Sequence, residues 1–420
     1  MPADVSIQVS CADDRDTQAL AVEDARRRIL LAVTPIASPQ QLALREALGR
    51  TLAEPVTSPV DVPGHTNSAM DGYALNGAEF GSDGAAELTL AGEALAGHPF
   101  QGMVGPGQCI RIMTGAPMPP GTDSVVMQEC AEESGGRVRF AVGQRRGQNV
   151  RQAGEDIAAG AQVHRTGRVL TPADLGLLAS LGIPEVAVQR RPRVCFFSTG
   201  DELRCVGQTL AAGDVYDSNR YTLYGMLQRL GVDVIDLGVV EDDPAKLEAT
   251  LRRAAANADV VITSGGVSVG EADYIRGLLE RIGQVGFWKI AMKPGRPLTF
   301  GHIDNALFFG LPGNPVAVMV TFYQFVQPAL VKLMTGCEEP PLLVDAEAMC
   351  AMRKRSGRTE FLRGTLGEKN GRLTVDLAGK QGSGILRSMS LANCFIVLPQ
   401  EQGDVQPGDR VHVQPFACLI

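Results

Sequence analysis

Between residues 193 and 335, four continuous apolar runs alternate with segments of helical character: VCFFSTG, VDVIDLG, DVVITSGG and ALFFGLPGNP. A strand that is apolar at every position, rather than at every second one, has to be buried on both faces. Strands of that kind separated by helices build a mostly parallel sheet with helices on both sides, because each parallel connection needs a crossover. The spacing predicts helices over 220–230 behind Asp217 or Ser218, over 244–257 behind Asp243-Pro244, over 271–282, and a long one ending at Met334. Ligands in such sheets bind at the carboxyl ends of the strands. The residues that follow each run are therefore the first place to look for chemistry.

The rest of the chain has a different texture. Residues 22–34, VEDARRRILLAVT, suit an amphipathic helix that Pro35 and Pro39 stop. From 55 to about 160 the chain is dense in Gly and Pro with short apolar runs, which reads as many short strands joined by tight turns. Thr171 as N-cap, Pro172 in the first turn, Asp174 at the positive end and Gly182 at the exit mark one further helix. Beyond Cys337 the pattern changes to alternation: EFLRGTLGEKNGRLTVDL reads as a hairpin turning at Asn370-Gly371, and CFIVLP and RVHVQPF add strands to a small β-barrel or sandwich.

Composition removes several functions. In 420 residues, 45% are hydrophobic and 20% charged, an ordinary globular balance. At roughly 100–200 residues per domain this is about two to four domains. The formal net charge is −8 and no long Lys/Arg run occurs, which argues against nucleic acid. Arg26-Arg27-Arg28 reads as the solvated face of a helix. Nine scattered cysteines without a CxxC pair and five widely separated histidines offer no zinc or haem spacing. The odd cysteine count and an acidic N-terminus without an apolar stretch point to reduced thiols in the cytosol, with no secretion signal and no membrane span.

Three loops after the apolar runs carry the candidate chemistry. Ser264-Gly265-Gly266, within the segment DVVITSGGVSVGEADY, and Ser198-Thr199-Gly200 each follow a strand. Glycines there let backbone N–H groups face an anion, and the positive end of the next helix adds to the field. Carboxylates follow each: Asp201 and Glu202 in one loop, Glu271 and Asp273 in the other, with a third acidic pair, Asp242-Asp243, after the strand VIDLGVV. Capping a helix explains Asp243 before Pro244. An anion loop beside carboxylates is also what a magnesium–phosphate site needs, since Mg2+ takes one or two carboxylates plus phosphate oxygens. The third loop, Gly310-Leu311-Pro312-Gly313-Asn314-Pro315, is stiffened by two prolines. Lys289, Lys293 and Arg296 precede it within the Pro- and Gly-pinned segment KPGRP and its lead-in, a local positive site suited to anions. By contrast, Asp71 and the RIMTGAP segment read locally only as turns.

The segments NSAMDGYA, RIMTGAP, GEDI, STGDEL, TSGGVSVGEADY, KPGRP and GLPGNPVA occur in the order of one family. The chain resembles the molybdopterin molybdenumtransferase (MoeA) family, related to the C-terminal part of gephyrin, over residues 17 to 418. The resemblance implies an enzyme that inserts molybdate into adenylylated molybdopterin with Mg2+-dependent release of AMP. It implies four parts: a discontinuous mixed α/β linker domain (17–60 and 160–191), a β-rich domain (61–159), a molybdopterin-binding α/β domain (192–336) and a C-terminal β-barrel domain (337–420). It also implies an elongated homodimer in which the β-rich domain of one subunit completes the site of the other. By motif, Asp71, Thr114, Asp156, Glu202, Asp243 and Asp273 take functional roles, with Glu202, Asp243 and Asp273 as metal carboxylates. Arg151, Ser198, Thr199, Gly200, Ser264, Gly265, Gly266, Lys289, Lys293, Arg296, Pro312, Pro315, Arg363 and Ser383 become substrate-binding positions, the last two tied to the oxyanion. The pathway's adenylyltransferase and recipient molybdoenzymes are the implied partners.

Two positions depart from the family pattern. Arg296 stands where many relatives have Lys in KPGK, and Ala317 where many have Ser in GLPGNPVS. Charge survives at the first and a hydroxyl is lost at the second. The alternatives are a pterin adenylyltransferase-like activity, whose proteins share the central domain but lack MDGYA and RIMTGAP, and a gephyrin-like scaffold.

Overall fold

The computed structural model describes residues 19–265 and 272–416, with only the backbone described at 272–276 and 287. Its contacts form two compact units, one of residues up to Gln40 together with those from Gln189 onward, the other of Gln41–Val188.

In the first unit a six-stranded sheet has the order Asp233–Val240, Arg193–Thr199, Val260–Ser264, Ala306–Leu311, Pro297–Ile303, Gly283–Lys289. The first four strands are parallel, as the apolar runs predict. Their burial on two faces is visible residue by residue. Val194, Phe196, Val260, Ile262, Leu307 and Phe309 join one apolar cluster, while Cys195, Phe197, Val261 and Phe308 join another. Helix Ser218–Leu230 covers the first face through Leu223, Met226 and Leu227, and helix Pro244–Asn257 the second through Leu247 and Leu251. The last two strands are antiparallel and extend the sheet at one edge. They are absent from the sequence reading because glycines dilute their pattern. Those glycines are structural: a Cβ at Gly301 would lie 2.1 Å from the carbonyl oxygen of Gln284, and one at Gly283 2.2 Å from that of His302.

The long helix expected to end at Met334 is two α-helices, Pro315–Thr321 and Gln327–Thr335, joined by a π turn over Phe322–Val326. Pro328 has no N–H to donate four residues back, to the carbonyl of Gln324. The Arg26 guanidinium supplies that bond instead, at 3.2 Å from Nε, and its Nη2 reaches Gln324 Oε1 at 2.7 Å. Arg26 therefore turns inward, unlike its exposed neighbours Arg27 and Arg28, and only part of that triplet is a solvated face. The stretch Pro315–Thr335 is long and apolar enough to cross a membrane by length and composition, with mean hydropathy 1.4, yet 67% of it is buried inside the protein. It is the core helix of this unit, contributing Val316, Val318, Val320 and Phe325.

The C-terminal strands form a barrel. Thr359–Lys369 pairs with Arg372–Leu377 on one side and Cys394–Leu398 on the other, which closes the ring through Val344–Ala348 and Arg410–Pro415. Asn370 and Gly371 both have positive φ, 52° and 74°, as a two-residue hairpin turn requires. The short strand Met292–Lys293 adds beside Thr359 and Glu360, tying the KPGRP segment to the barrel.

In the second unit a six-stranded sheet runs Ser124–Met127, Gly72–Leu75, Gln108–Ile112, Ala86–Ala94, Arg137–Phe140, Ala131–Ser134. Helix Pro172–Ser180 starts with the expected cap: Thr171 and Asp174 bond reciprocally. Burial opposes the charge on Asp174. The paired bonds from Arg168 and those from the Thr171 amide and hydroxyl outweigh it, holding the carboxyl at about 2.

Candidate active site

Parallel register brings the ends of the central strands together in the first unit. Ser198 pairs with Ser264, and their hydroxyls are 3.0 Å apart. The Gly265 amide donates to the Leu311 carbonyl at 3.3 Å. Gly265 has φ +88°, and a Cβ on it would lie 2.3 Å from the Thr199 carbonyl, so only glycine fits this crossing. A Cβ on Gly313 would sit 3.8 Å from the Gly265 Cα. The loops after Thr199, Ser264 and Leu311 thus meet at one end of the sheet. Thr199 is buried there and its Oγ1 has no hydrogen-bond partner. Gly266 and Glu271 lie outside the described residues. Asp273 falls in the first turn of helix Ala272–Ile282, and its side chain also lies outside them.

The acidic residues stand around this end. Glu202 folds back beneath its own loop, so that a Cβ on Gly200 would be 2.7 Å from Glu202 Oε2. The Asp242 amide donates to Asp201 Oδ1 at 3.4 Å, joining the Glu202 and Asp243 loops. Asp243 caps helix Pro244–Asn257, its Oδ1 accepting from the Lys246 amide at 2.8 Å. Among the described residues no three His, Cys, Asp or Glu side chains converge as a metal cluster.

The GLPGNP loop opens helix Pro315–Thr321, with Pro315 in its first turn. The barrel reaches the same point: the Val316 amide donates to the Ser383 carbonyl at 3.1 Å. The KPGRP loop lies beside this helix, since a Cβ on Gly295 would be 2.7 Å from Thr321 Cγ2 and 3.6 Å from the Ala317 carbonyl. Lys289 ends the edge strand, Lys293 is exposed opposite Glu360, and the Arg296 carbonyl accepts from the Ile290 amide at 2.7 Å. Arg363 is 1% exposed. Its guanidinium donates to Ser388 Oγ at 3.1 Å and to the carbonyls of Lys380 and Gly382 at 3.3 and 3.1 Å. No carboxylate is among these partners, and burial alone lowers its pKa to about 10. A buried cation held only by neutral acceptors shapes the loop that carries Ser383 and leaves its charge uncompensated.

In the second unit, Gly72 pairs with Ile112 in antiparallel register, so the residues flanking them meet at one end of the strand pair. Asp71 Oδ1 accepts from both the Thr114 amide and the Thr114 hydroxyl, each at 2.7 Å. The amide bond, then the hydroxyl, and more weakly the Arg111 charge hold the Asp71 carboxyl below its ordinary value. The Ala69 amide donates to the Asn149 carbonyl, Asn67 pairs with Arg151, and the Asp156 amide bonds the Val62 carbonyl. Segments 62–71, 113–117 and 149–157 therefore form one surface with Asp71, Thr114, Arg151 and Asp156 all exposed. A cavity of ≈ 620 Å³ elsewhere in this unit is lined by Leu44, Leu175 and Ile183 among others, and none of the candidate residues lines it.

Two polar residues at the sheet end have no place in the sequence reading except as a cap. These are Asp217 and Asn219, at the start of helix Ser218–Leu230. Asn219 Nδ2 donates to the Gly313 carbonyl at 2.7 Å. Those two residues are 94 positions apart, and no local pattern announces the contact.

Comparison with known proteins places this geometry. Family profiles match the MoeA N-terminal region (domain I and II) over residues 20–182, a probable molybdopterin binding domain over 195–332 and the MoeA C-terminal region (domain IV) over 345–416. A molybdopterin molybdenumtransferase of Haemophilus influenzae is 44% identical over 405 residues, covering 96% of this chain and 100% of that one. One from a Nostoc species is 38% identical over 378 residues, covering 87% of this chain and 86% of that one. Gephyrin of Dictyostelium discoideum is 34% identical over 424 residues, covering 89% of this chain and 58% of that one. Among solved structures, a molybdopterin biosynthesis MoeA protein from Pyrococcus horikoshii superposes with a TM-score of 0.83 at 29% identity, over 95% of this chain and 100% of that one.

Proposed function

The chain belongs to the molybdopterin molybdenumtransferase family, enzymes of molybdenum cofactor biosynthesis, and we propose that it inserts molybdate into adenylylated molybdopterin with release of AMP. The observation that carries this reading is the meeting of three loops at the carboxyl end of the sheet, where Gly265 crosses the Thr199 carbonyl too closely for any side chain. That crossing lets the backbones of the three loops pack together at the strand ends, with the Ser198, Thr199 and Ser264 hydroxyls buried beside it, and we assign the phosphate oxygens to the face of this loop cluster. The N-terminus of helix Pro315–Thr321 and the exposed Lys293 supply positive potential for molybdate from the other side. Lys289, Arg296, Arg363 and Ser383 complete that oxyanion side in this proposal. Cleaving the adenylyl pyrophosphate bond is a displacement at phosphorus. There, catalysis rests on positioning and on neutralising charge, both of which fixed loops supply.

The donor set suits magnesium, a hard cation that takes carboxylate oxygens together with phosphate and water. Glu202, Asp243 and Asp273 would hold it, and bound there it would offset the charge of the pyrophosphate. The Asp201–Asp242 bond that joins the first two loops supports this assignment. Removing divalent cations with EDTA should abolish AMP release, and Mg2+ should restore it. Full turnover in EDTA would rule the metal out.

The Asp71–Thr114 pair, with Arg151 and Asp156, is proposed to complete the site of a second subunit in a homodimer. The four-part division stated above is proposed as well. Its support is an apolar cluster centred on each part (Leu52 with Leu178, Leu75 with Val126, Phe196 with Ile262, and Val375 with Ile396), the central one also taking in Val22 and Ile29 of the first part and Phe361 and Phe395 of the barrel. A cytosolic location, and encounters with the pathway's adenylyltransferase and with recipient molybdoenzymes, rest on the family alone. An adenylyltransferase-like activity is disfavoured by the match over residues 20–182, which extends well outside the molybdopterin binding domain.

A further inference from the structure

Asn149 holds a backbone conformation that no hairpin explains. Its φ is 56°, in the left-handed region that side chains other than Asn and Asp rarely enter. Among the described residues, two other non-glycine positions share that region, Asp304 and Asn370. Each of those sits in a tight turn between paired antiparallel strands, Pro297–Ile303 with Ala306–Leu311 and Thr359–Lys369 with Arg372–Leu377. Asn149 instead precedes the short strand Val150–Arg151, whose partner is the distant strand Asn67–Ser68.

The bonds it makes show what the conformation achieves. The Asn149 carbonyl accepts from the Ala69 amide at 2.9 Å, and its Nδ2 donates to the Val125 carbonyl at 2.9 Å. Ala69 lies two positions before Asp71. Val125 lies on the strand that pairs with Gly72–Leu75, which begins directly after Asp71. Asn149 is thus tied to the chain on both sides of Asp71. The strand that follows it pairs Arg151 with Asn67, so one turn sets both segments. Of the two bonds the side-chain one is replaceable, because the Val125 carbonyl also accepts from Gln148 Nε2 at 3.3 Å.

We propose that Asn149 is a positioning residue for the reaction, whose left-handed backbone fixes the Asp71 loop and Arg151 in one arrangement. This rests on the function proposed above, in which Asp71, Thr114 and Arg151 act on the substrate. Asn149 itself touches neither substrate nor metal. Its backbone matters more than its amide, and that separates two substitutions. Asn149→Ala loses the tolerance for positive φ together with the amide. Asn149→Gly loses only the amide and keeps the conformation.

Two readouts on the full-length protein test this. One is AMP release from adenylylated molybdopterin with Mg2+ and molybdate. The other is NMR titration of the Asp71 carboxyl, which senses its bonds from Thr114 without any substrate. Thermal unfolding checks that each protein is folded at the assay temperature. Asn149→Ala should release AMP about tenfold more slowly, the size of the left-handed preference it gives up. Its Asp71 pKa should rise towards the ordinary carboxylate value as the loop moves off Thr114. Asn149→Gly should restore the rate to within about threefold of wild type and leave the Asp71 titration where it was. Wild-type behaviour of Asn149→Ala, or a loss in Asn149→Gly equal to that in Asn149→Ala, overturns the proposal. An Asn149→Ala protein without a cooperative unfolding transition overturns it as well, by making the turn an element of folding. A wild type that releases no AMP overturns the function proposed above, while the Asp71 titration still decides whether Asn149 sets that loop.

Discussion

Asp71 shows how much a single residue's role depends on a distant one. On its own it is an exposed carboxylate in a turn. Thr114, 43 positions away, gives it two hydrogen bonds and lowers its pKa. Because the folded value lies below the unfolded one, the charged form is favoured above the ordinary carboxylate range, and that preference fades as pH falls through the folded value. Thr114→Ala removes the hydroxyl bond and keeps the amide. The Asp71 pKa should rise part of the way towards 3.8, measured by NMR titration of the carboxyl carbon. If the pair acts in catalysis, AMP release should fall by about tenfold, the size expected for one hydrogen bond to a charged group. An unchanged rate would reduce the pair to a turn.

At the scale of elements, Asp243 holds two possible offices, helix cap and metal carboxylate, and the two predict different mutants. Asn caps as well as Asp, so Asp243→Asn should leave stability within about 0.5 kcal/mol by denaturant unfolding. Magnesium-dependent AMP release should nevertheless drop by more than about tenfold, because an amide is a poor ligand for a hard cation. Activity that survives in this variant would leave Asp243 as a cap only. The sequence showed such offices wherever the signal was local. The buried runs at Arg193–Thr199 and Val260–Ser264, the Asn370-Gly371 turn and the caps at Thr171 and Asp243 are all legible in the sequence. What it hid was set by distant backbone. Strands Gly283–Lys289 and Pro297–Ile303 need glycines against their neighbours, and those glycines erase the strand pattern. The π turn over Phe322–Val326 depends on Arg26, 298 residues before Gln324. The same limit explains the site: motif order announced Asp71, Thr114 and Glu202, but only strand register shows which of them meet.

For the whole molecule, the proposal divides the chemistry between two chains. One contributes the anion loops and acidic residues, the other the Asp71–Thr114 surface. Inactive Asp71→Asn and Asp273→Asn proteins should then complement each other. Hybrid dimers with one intact site of two should regain up to about half of wild-type activity per dimer, and a randomly exchanged mixture about a quarter, once subunit exchange is verified by native mass spectrometry. No recovery after verified exchange would place both halves of the site on one chain or remove one of them from it. Beneath that arrangement lies the simpler claim that this protein couples molybdate to the loss of an adenylyl group. It is tested most directly by following AMP released from adenylylated molybdopterin in the presence of Mg2+, with and without molybdate. The account predicts release that requires molybdate and yields active molybdenum cofactor. AMP release at the same rate without molybdate, or none with it, would contradict the account.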